Sequence, residues 1–332
     1  MNVGVIGLGK MGILHAGILS AIPSCQLKAI CEKEGLLVKA AKGFLGKTFP
    51  IYTDYMDMLE KEDLQAVFVT TPIHTHVPII TDVARSGSDV SVFVEKPLAS
   101  TYREAQSACD AVRNWRGVHM VGYQKRFSPV FQRAREYLGD RLLGDLLFFR
   151  AYSFSSDVLR RGNSWRFRRG TGGVLLDLAP HVLDLLLWFF GEPAEVRSMS
   201  RRIFSDEVED YFHVDMSYDG GSKGTLDTCW CIRNFRLPEI SIEVYGKKGI
   251  MIVSDDFVKL ALGRGLGKNQ TLYRQSFDNS VSFLLADREY TMEDDAFATA
   301  LQGGSKPQSN FFEAAKVNAI IDRINENVQE TE

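Results

Sequence analysis

The 332 residues are enough chain for two compact domains at roughly 150 residues each. A composition of 45% hydrophobic and 24% charged residues excludes disordered, collagen-like and low-complexity chains. A net charge of −3 supplies no general positive field, so neither nucleic acid nor an anionic membrane surface is expected as a partner.

From residue 1 to 123, short β-branched runs alternate with stretches of helical period, the pattern of β-α-β units around a parallel sheet. Strands are expected at 2–6, 27–31, 66–71, 90–94 and 118–122, with a short one near 49–52. Helices are expected at 11–21, 35–45, 54–60, 76–87 and 100–114. This is a doubly wound α/β domain. From 124 to 305 longer alternating segments take over, at 145–155, 194–204, 210–218, 223–232 and 238–245, and read as an antiparallel sheet in an α+β domain. The apolar stretch 174–190 is interrupted by Asp177, His181 and Asp184, so it reads as one buried helix and not as a membrane span. After Gly303-Gly304 and Pro307, the region 306–332 holds an amphipathic helix over 310–328, expected to pack back on the first domain.

Five cysteines without a C-x-x-C pair argue against a disulfide framework or a zinc ribbon and for a reducing compartment. The residues after Met1 contain no basic stretch followed by an apolar region, so a cytoplasmic location is expected.

Gly7-Leu8-Gly9-Lys10-Met11-Gly12 fits G-x-G-x-x-G between the first strand and the first helix. The first glycine permits the tight turn, the second the approach of a pyrophosphate, the third close packing of helix on strand. The helix N-terminus then meets the phosphate charge. Glu32 lies twenty residues beyond Gly12, where an acid accepts hydrogen bonds from the adenosine ribose and favours NAD. Lys33 beside it keeps NADP as the alternative.

Further along stand Thr71-Pro72 with His76, then Glu95-Lys96-Pro97, Gly122-Tyr123-Gln124-Lys125-Arg126-Phe127, and Gly172-Gly173 followed by Asp177 and His181. Together with the glycine loop, and in this order, these motifs resemble the glucose-fructose oxidoreductase, inositol dehydrogenase and rhizopine catabolism family over essentially the whole chain. The resemblance implies a Rossmann domain, a C-terminal α+β domain with a large open sheet, and NAD(P)-linked oxidation or reduction of a sugar or polyol hydroxyl. It assigns Lys96, Asp177 and His181 to catalysis, puts Thr71, Pro72, His76 and Glu95 at the cofactor, and places Tyr123 and Trp230 near the sugar. A cis Lys96-Pro97 bond and a homodimer or homotetramer joined through the open sheets are also implied. Ala179-Pro180 departs from the family pattern at the start of the catalytic helix.

The residue chemistry points the same way. Asp177, His181 and Asp184 fall at spacings of four and three on an otherwise apolar helix, so they face a polar network, water or a ligand. Structural pairing of these groups is the alternative. Imidazole suits proton removal near neutrality, which makes His181 the general base. Lys96 stabilises the developing alkoxide, and Asp177 orients the hydroxyl or the imidazole. A metal held by Asp177, His181 and Asp184 with His74 and His76 is the weaker reading, and no metal is expected.

Residues 160–169 hold five arginines around Trp165. Arg166, with Lys125 and Arg126, fits an anionic substrate such as a sugar phosphate, a nucleotide sugar or a uronate, and Trp165 a stacking role. A solvated loop or subunit interface is the alternative. Two further classes compete with a dehydrogenase: a glycosidase using bound NAD for transient oxidation, and a non-catalytic dinucleotide-binding regulator.

Overall fold

Six short strands, rich in Val, Ile and Phe, form a wholly parallel sheet: β1 (Asn2–Ile6), β2 (Gln26–Cys31), β3 (Ile51–Tyr52), β4 (Ala66–Val69), β5 (Ser91–Glu95) and β6 (His119–Gly122), in the order β3-β2-β1-β4-β5-β6. Val5, Phe68, Phe93 and Val94 are wholly buried, as strands covered by helices on both faces require. The connections carry α1 (Lys10–Ala21), α2 (Gly35–Phe44), α3 (Tyr55–Lys61), α4 (His76–Arg85) and α5 (Tyr102–Val112). Asp54 caps α3 by accepting from Met56 N at 2.8 Å, and Thr101 with Glu104 forms a capping box on α5. In this computed structural model the described residues are 1–44, 48–87, 89–235, 237–267, 269–277 and 285–330.

After α6 (Pro129–Gly139), a second sheet is built from β7 (Leu146–Phe154), β8 (Glu195–Arg201), β9 (Tyr211–Ser217), β10 (Lys223–Cys229), β11 (Glu239–Gly246), β12 (Gly249–Ser254), β13 (Phe257–Leu262) and β14 (Gln270–Tyr273). Its order is β14-β13-β12-β11-β7-β10-β9-β8-β15, where β15 is Val328–Glu330. Every pairing is antiparallel except β7 with β10 and β8 with β15. Along β8, Val196, Ser198 and Ser200 are buried while Arg197, Met199 and Arg201 are exposed, so one face of the sheet is packed. The Phe149 ring on that face stacks on Phe190 with centroids 4.4 Å apart. The expected five strands are present; β12, β13, β14 and β15 add to them.

The helix expected over 174–190 is two helices, α7 (Val174–Asp177) and α8 (Ala179–Phe190), meeting at Leu178. Pro180 has no N–H to donate and its ring would clash with the carbonyl four residues earlier, so the chain restarts its helix with proline in the first turn. The chain continues into α9 (Arg288–Leu301) and α10 (Phe311–Glu326).

Two compact units result, Met1–Gln124 with Val281–Asn318, and Lys125–Ser280 with Ala319–Glu332. The division expected at 305 is thereby corrected: α9 belongs to the Rossmann unit, where its Asp294 meets His15 of α1. The start of α10 also packs there, with Asn318 Nδ2 donating to Ala99 O at 2.6 Å, whereas Arg323 donates to Pro193 O and Ala194 O within the second unit. Among the described residues no helix is long and apolar enough to cross a membrane.

Candidate active site

In the Rossmann unit the candidate residues follow the carboxyl ends of parallel strands, along one edge of the sheet. Gly7 follows β1 and takes φ +97°, a left-handed conformation open to glycine. A methyl group on Gly12 would lie 1.9 Å from the Gly7 carbonyl oxygen, so the third glycine is needed for α1 to approach the turn. Gly9 is the N-cap of α1, and a methyl group there would meet nothing within 4 Å. This open side, at the start of a 12-residue helix, is the shape a pyrophosphate needs. Lys10 is exposed and Met11 half-buried beside it.

Glu32, after β2, is buried and fastens the glycine loop: Oε2 accepts from Leu8 N at 2.6 Å, and Oε1 from Glu34 N at 2.8 Å. Each oxygen keeps a lone pair for a ribose hydroxyl. Lys33 is exposed. Thr71 is half-buried and Pro72 exposed, after β4. His76 departs from its expected place at the cofactor. It is buried, with ring nitrogens 3.0 Å from Pro97 O and 2.9 Å from Thr71 O, so it braces the two loops from within. Burial holds its pKa below the ordinary value. Lys96 is half-buried at the end of β5, and the Lys96-Pro97 bond is cis. Tyr123, after β6, is buried.

In the second unit Asp177 ends α7 and His181 lies in the first turn of α8, both half-buried. Asp177 Oδ2 is 3.0 Å from Arg166 Nε, and Asp157 lies on the same guanidinium at 4.0 Å. The arginine loop and the candidate catalytic aspartate are thus brought together. Trp165 is 45% exposed, which leaves its ring open to a ligand.

Three residues expected at the substrate are already engaged within the protein. Arg126, 6% exposed, holds Asp184 through Nε and Nη2 at 2.7 and 2.6 Å. Both charges satisfy each other, which also removes Asp184 from any metal set. Lys125 pairs with Asp255, whose other oxygen accepts from Ile240 N at 2.8 Å. Trp230, 1% exposed, donates its indole N–H to Asp210 at 2.6 Å, so its ring is a core element.

One group was not foreseen. His15, three residues beyond Gly12, lies wholly buried with Asp294 and Glu293 of α9 and with Glu95. Among the described residues, only His15, Glu293 and Asp294 bring three potential ligand atoms within 4.8 Å of one another.

The family model described as "Oxidoreductase family, NAD-binding Rossmann fold" matches residues 1–123, and the one described as "GFO/IDH/MocA C-terminal domain" matches residues 131–252. The chain belongs to the GFO/IDH/MocA oxidoreductase family. This GFO/IDH/MocA oxidoreductase is 26% identical over 243 residues to the rhizopine catabolism protein MocA of Rhizobium meliloti, covering 69% of this chain and 74% of the relative. It is 24% identical over 317 residues to scyllo-inositol 2-dehydrogenase (NAD(+)) of Bacillus subtilis (strain 168), covering 91% and 86%. Among solved structures, levoglucosan dehydrogenase in complex with NADH matches with a TM-score of 0.86 at 24% identity, over 98% of this chain and 96% of that one, a likeness of fold. The residues around Gly9 and Glu32 fit the NAD that the family model ascribes to the first domain.

Proposed function

We propose that the chain is an NAD-dependent dehydrogenase acting on a secondary hydroxyl of a sugar, sugar derivative or polyol. The observation that carries this reading is Lys96 at the carboxyl end of β5, on the same sheet edge as the open Gly9 loop of an oxidoreductase-family, NAD-binding domain. Relatives named for inositol and levoglucosan support the substrate class.

Gly7, Gly9, Lys10, Met11, Gly12 and Glu32 would hold NAD, with Thr71 and Pro72 beside it. When bound, the nicotinamide supplies the acceptor or donor of hydride. His181 takes the proton of the substrate hydroxyl as the alcohol is oxidised, and returns it in the reverse direction. Lys96 donates a hydrogen bond to the reacting oxygen and stabilises its developing negative charge. Asp177, steadied by Arg166, orients the hydroxyl or the imidazole.

The proposed substrate is anionic. Arg166 already engages two carboxylates, and a phosphate or carboxylate on the substrate would find the remaining arginines of 160–169 close by in sequence, with Trp165 exposed among them. The proposed assembly is a homodimer or homotetramer through the nine-stranded sheet, whose outer face exposes Phe148, Met199 and Ile250.

The test is NADH formation at 340 nm with a panel of myo-inositol, levoglucosan, glucose 6-phosphate, glucuronate and a nucleotide sugar. Turnover that Lys96→Met and His181→Ala remove without comparable loss of NADH affinity supports the reading. Cleavage of a glycoside without net NADH formation would replace it with the glycosidase, and tight NADH binding indifferent to both substitutions would replace it with a regulator.

A further inference from the structure

A row of charged side chains in the Rossmann unit has no part in the roles assigned above. His15 is wholly buried on α1, and both of its ring nitrogens face carboxylates from distant parts of the chain. Nδ1 lies 2.9 and 3.0 Å from the two oxygens of Asp294, and Nε2 lies 3.0 Å from Glu95 Oε1. Neutral imidazole has one N–H, so only the imidazolium donates on both sides. Burial alone would lower the His15 pKa, but the charge and hydrogen bonds of Asp294, with those of Glu95, outweigh it and hold the ring well above its usual value. Burial pushes Glu95 up, and the hydrogen bond and charge of His15, then the charge of Lys96, more than reverse this and keep its carboxyl below the ordinary range.

The second oxygen of Glu95, Oε2, accepts the backbone N–H of Lys96 at 3.0 Å. An unbroken line of hydrogen bonds therefore runs from Asp294 on α9, through His15 and Glu95, to the peptide that carries Lys96. Glu293, Glu289 and Tyr290 of α9 also face this line, and the rings of Phe68 and Phe93 approach His15 to 5.7 and 5.1 Å. Glu293 is wholly buried, neither carboxylate oxygen has a hydrogen-bond partner among the described residues, and burial pushes its carboxyl well above the ordinary range. Burial thus disfavours a further negative charge beside the imidazolium. Apolar residues of similar volume would serve stability as well as a buried ionic chain does, whereas a charged chain fixes a direction.

We propose that His15 is a positioning residue for Lys96, acting through Glu95 and anchored by Asp294. The inference rests on the reactive role given to Lys96 above. It also makes α9, far away in sequence, part of the apparatus that aims the reactive ammonium. A divalent cation on His15, Glu293 and Asp294 is the competing occupant, and the two exclude each other because a metal-bound nitrogen carries no proton.

Two measurements on the full chain, neither requiring turnover, test the proposal. In histidine-15N-labelled protein, one of the six histidines should keep both ring nitrogens protonated well above the ordinary imidazole range, and His15→Gln should remove that signal. A spectrum in which no histidine stays doubly protonated above that range, or an equivalent of divalent metal in the purified protein by mass spectrometry, overturns the proposal. Brief acetic anhydride labelling, read by mass spectrometry against Lys33, then reports on Lys96. In Asp294→Asn, Lys96 should label at least about threefold faster, and Asp294→Glu should restore the wild-type rate. An unchanged Lys96 rate in an Asp294→Asn protein that melts cooperatively and binds NADH overturns it. If the substituted proteins do not fold, the wild-type spectrum and metal content decide. A protein that passes these tests yet oxidises nothing refutes the dehydrogenase reading alone.

Discussion

Alanine at Gly9 and alanine at Gly12 should injure the same loop in different ways. At Gly12 the new methyl group would sit 1.9 Å from Gly7 O and 2.8 Å from Thr70 Oγ1. The Gly7 carbonyl cannot retreat, because it accepts the Thr70 hydroxyl at 2.9 Å and belongs to a residue at φ +97°. Overpacking costs about 1–3 kcal/mol where side chains can yield, and here the obstacle is backbone, so about 3 kcal/mol is expected. For a unit of this size that is a fall of roughly 6–12 °C in Tm. At Gly9 the methyl group meets nothing within 4 Å, and Tm should move by no more than about 2–4 °C, the equivalent of about 1 kcal/mol. The same methyl would, however, stand between the pyrophosphate and the N-terminus of α1. Losing one charge-assisted hydrogen bond of about 1.5–3 kcal/mol weakens NADH binding roughly 10- to 100-fold. Thermal melts and NADH fluorescence titration separate the two effects. Wild-type NADH affinity in Gly9→Ala, or a Gly12→Ala protein melting like wild type, would refute the reasoning.

Glu32→Gln keeps an acceptor for Leu8 N but loses the carboxylate charge; NAD affinity should fall about tenfold with a smaller change for NADP, and titration of both cofactors checks the ratio. Arg126→Met should cost about 3–5 kcal/mol in urea denaturation by stranding Asp184, and the double change with Asp184→Leu should recover most of it; additive losses would contradict a buried pair. His119 Nδ1 accepts from Phe311 N, and burial lowers its pKa from 6.5 to about 4. The unfolded chain therefore binds the proton first as pH falls, and up to about 3 kcal/mol of stability is lost between about pH 6.5 and 4. His119→Asn should flatten that part of the stability profile, and a profile identical to wild type would rule out His119 as its source.

The Rossmann sheet and its glycine loop were legible because their signals are local: β1, the turn and α1 follow one another within about twenty residues, and each glycine answers to a nearby contact. The second sheet was half legible. The alternation in β7 to β11 is long, whereas β14 spans four residues, too short for period two to stand out. The break at Leu178 is written in Pro180, a departure from the family pattern whose missing N–H requires a new helix start. Asp294 was hidden for a different reason. Within Met292-Glu293-Asp294-Asp295 it looks like a solvated acidic run, and what buries it is a histidine 279 positions away. Trp230 and Arg126 show the converse: residue types suited to a ligand that find Asp210 and Asp184 first.

The Rossmann unit is assembled from two stretches of chain with residues 125–280 between them. During synthesis its first 124 residues leave the ribosome with the imidazole of α1 lacking its Asp294 acceptor and with Phe68 and Phe93 lacking Phe297. That nascent piece cannot complete its interior until α9 emerges, after strands β7 to β14 of the second sheet. Translation order and folding order are thereby uncoupled, and a fragment cut at the apparent domain boundary would be an unfinished core rather than a portable nucleotide-binding module.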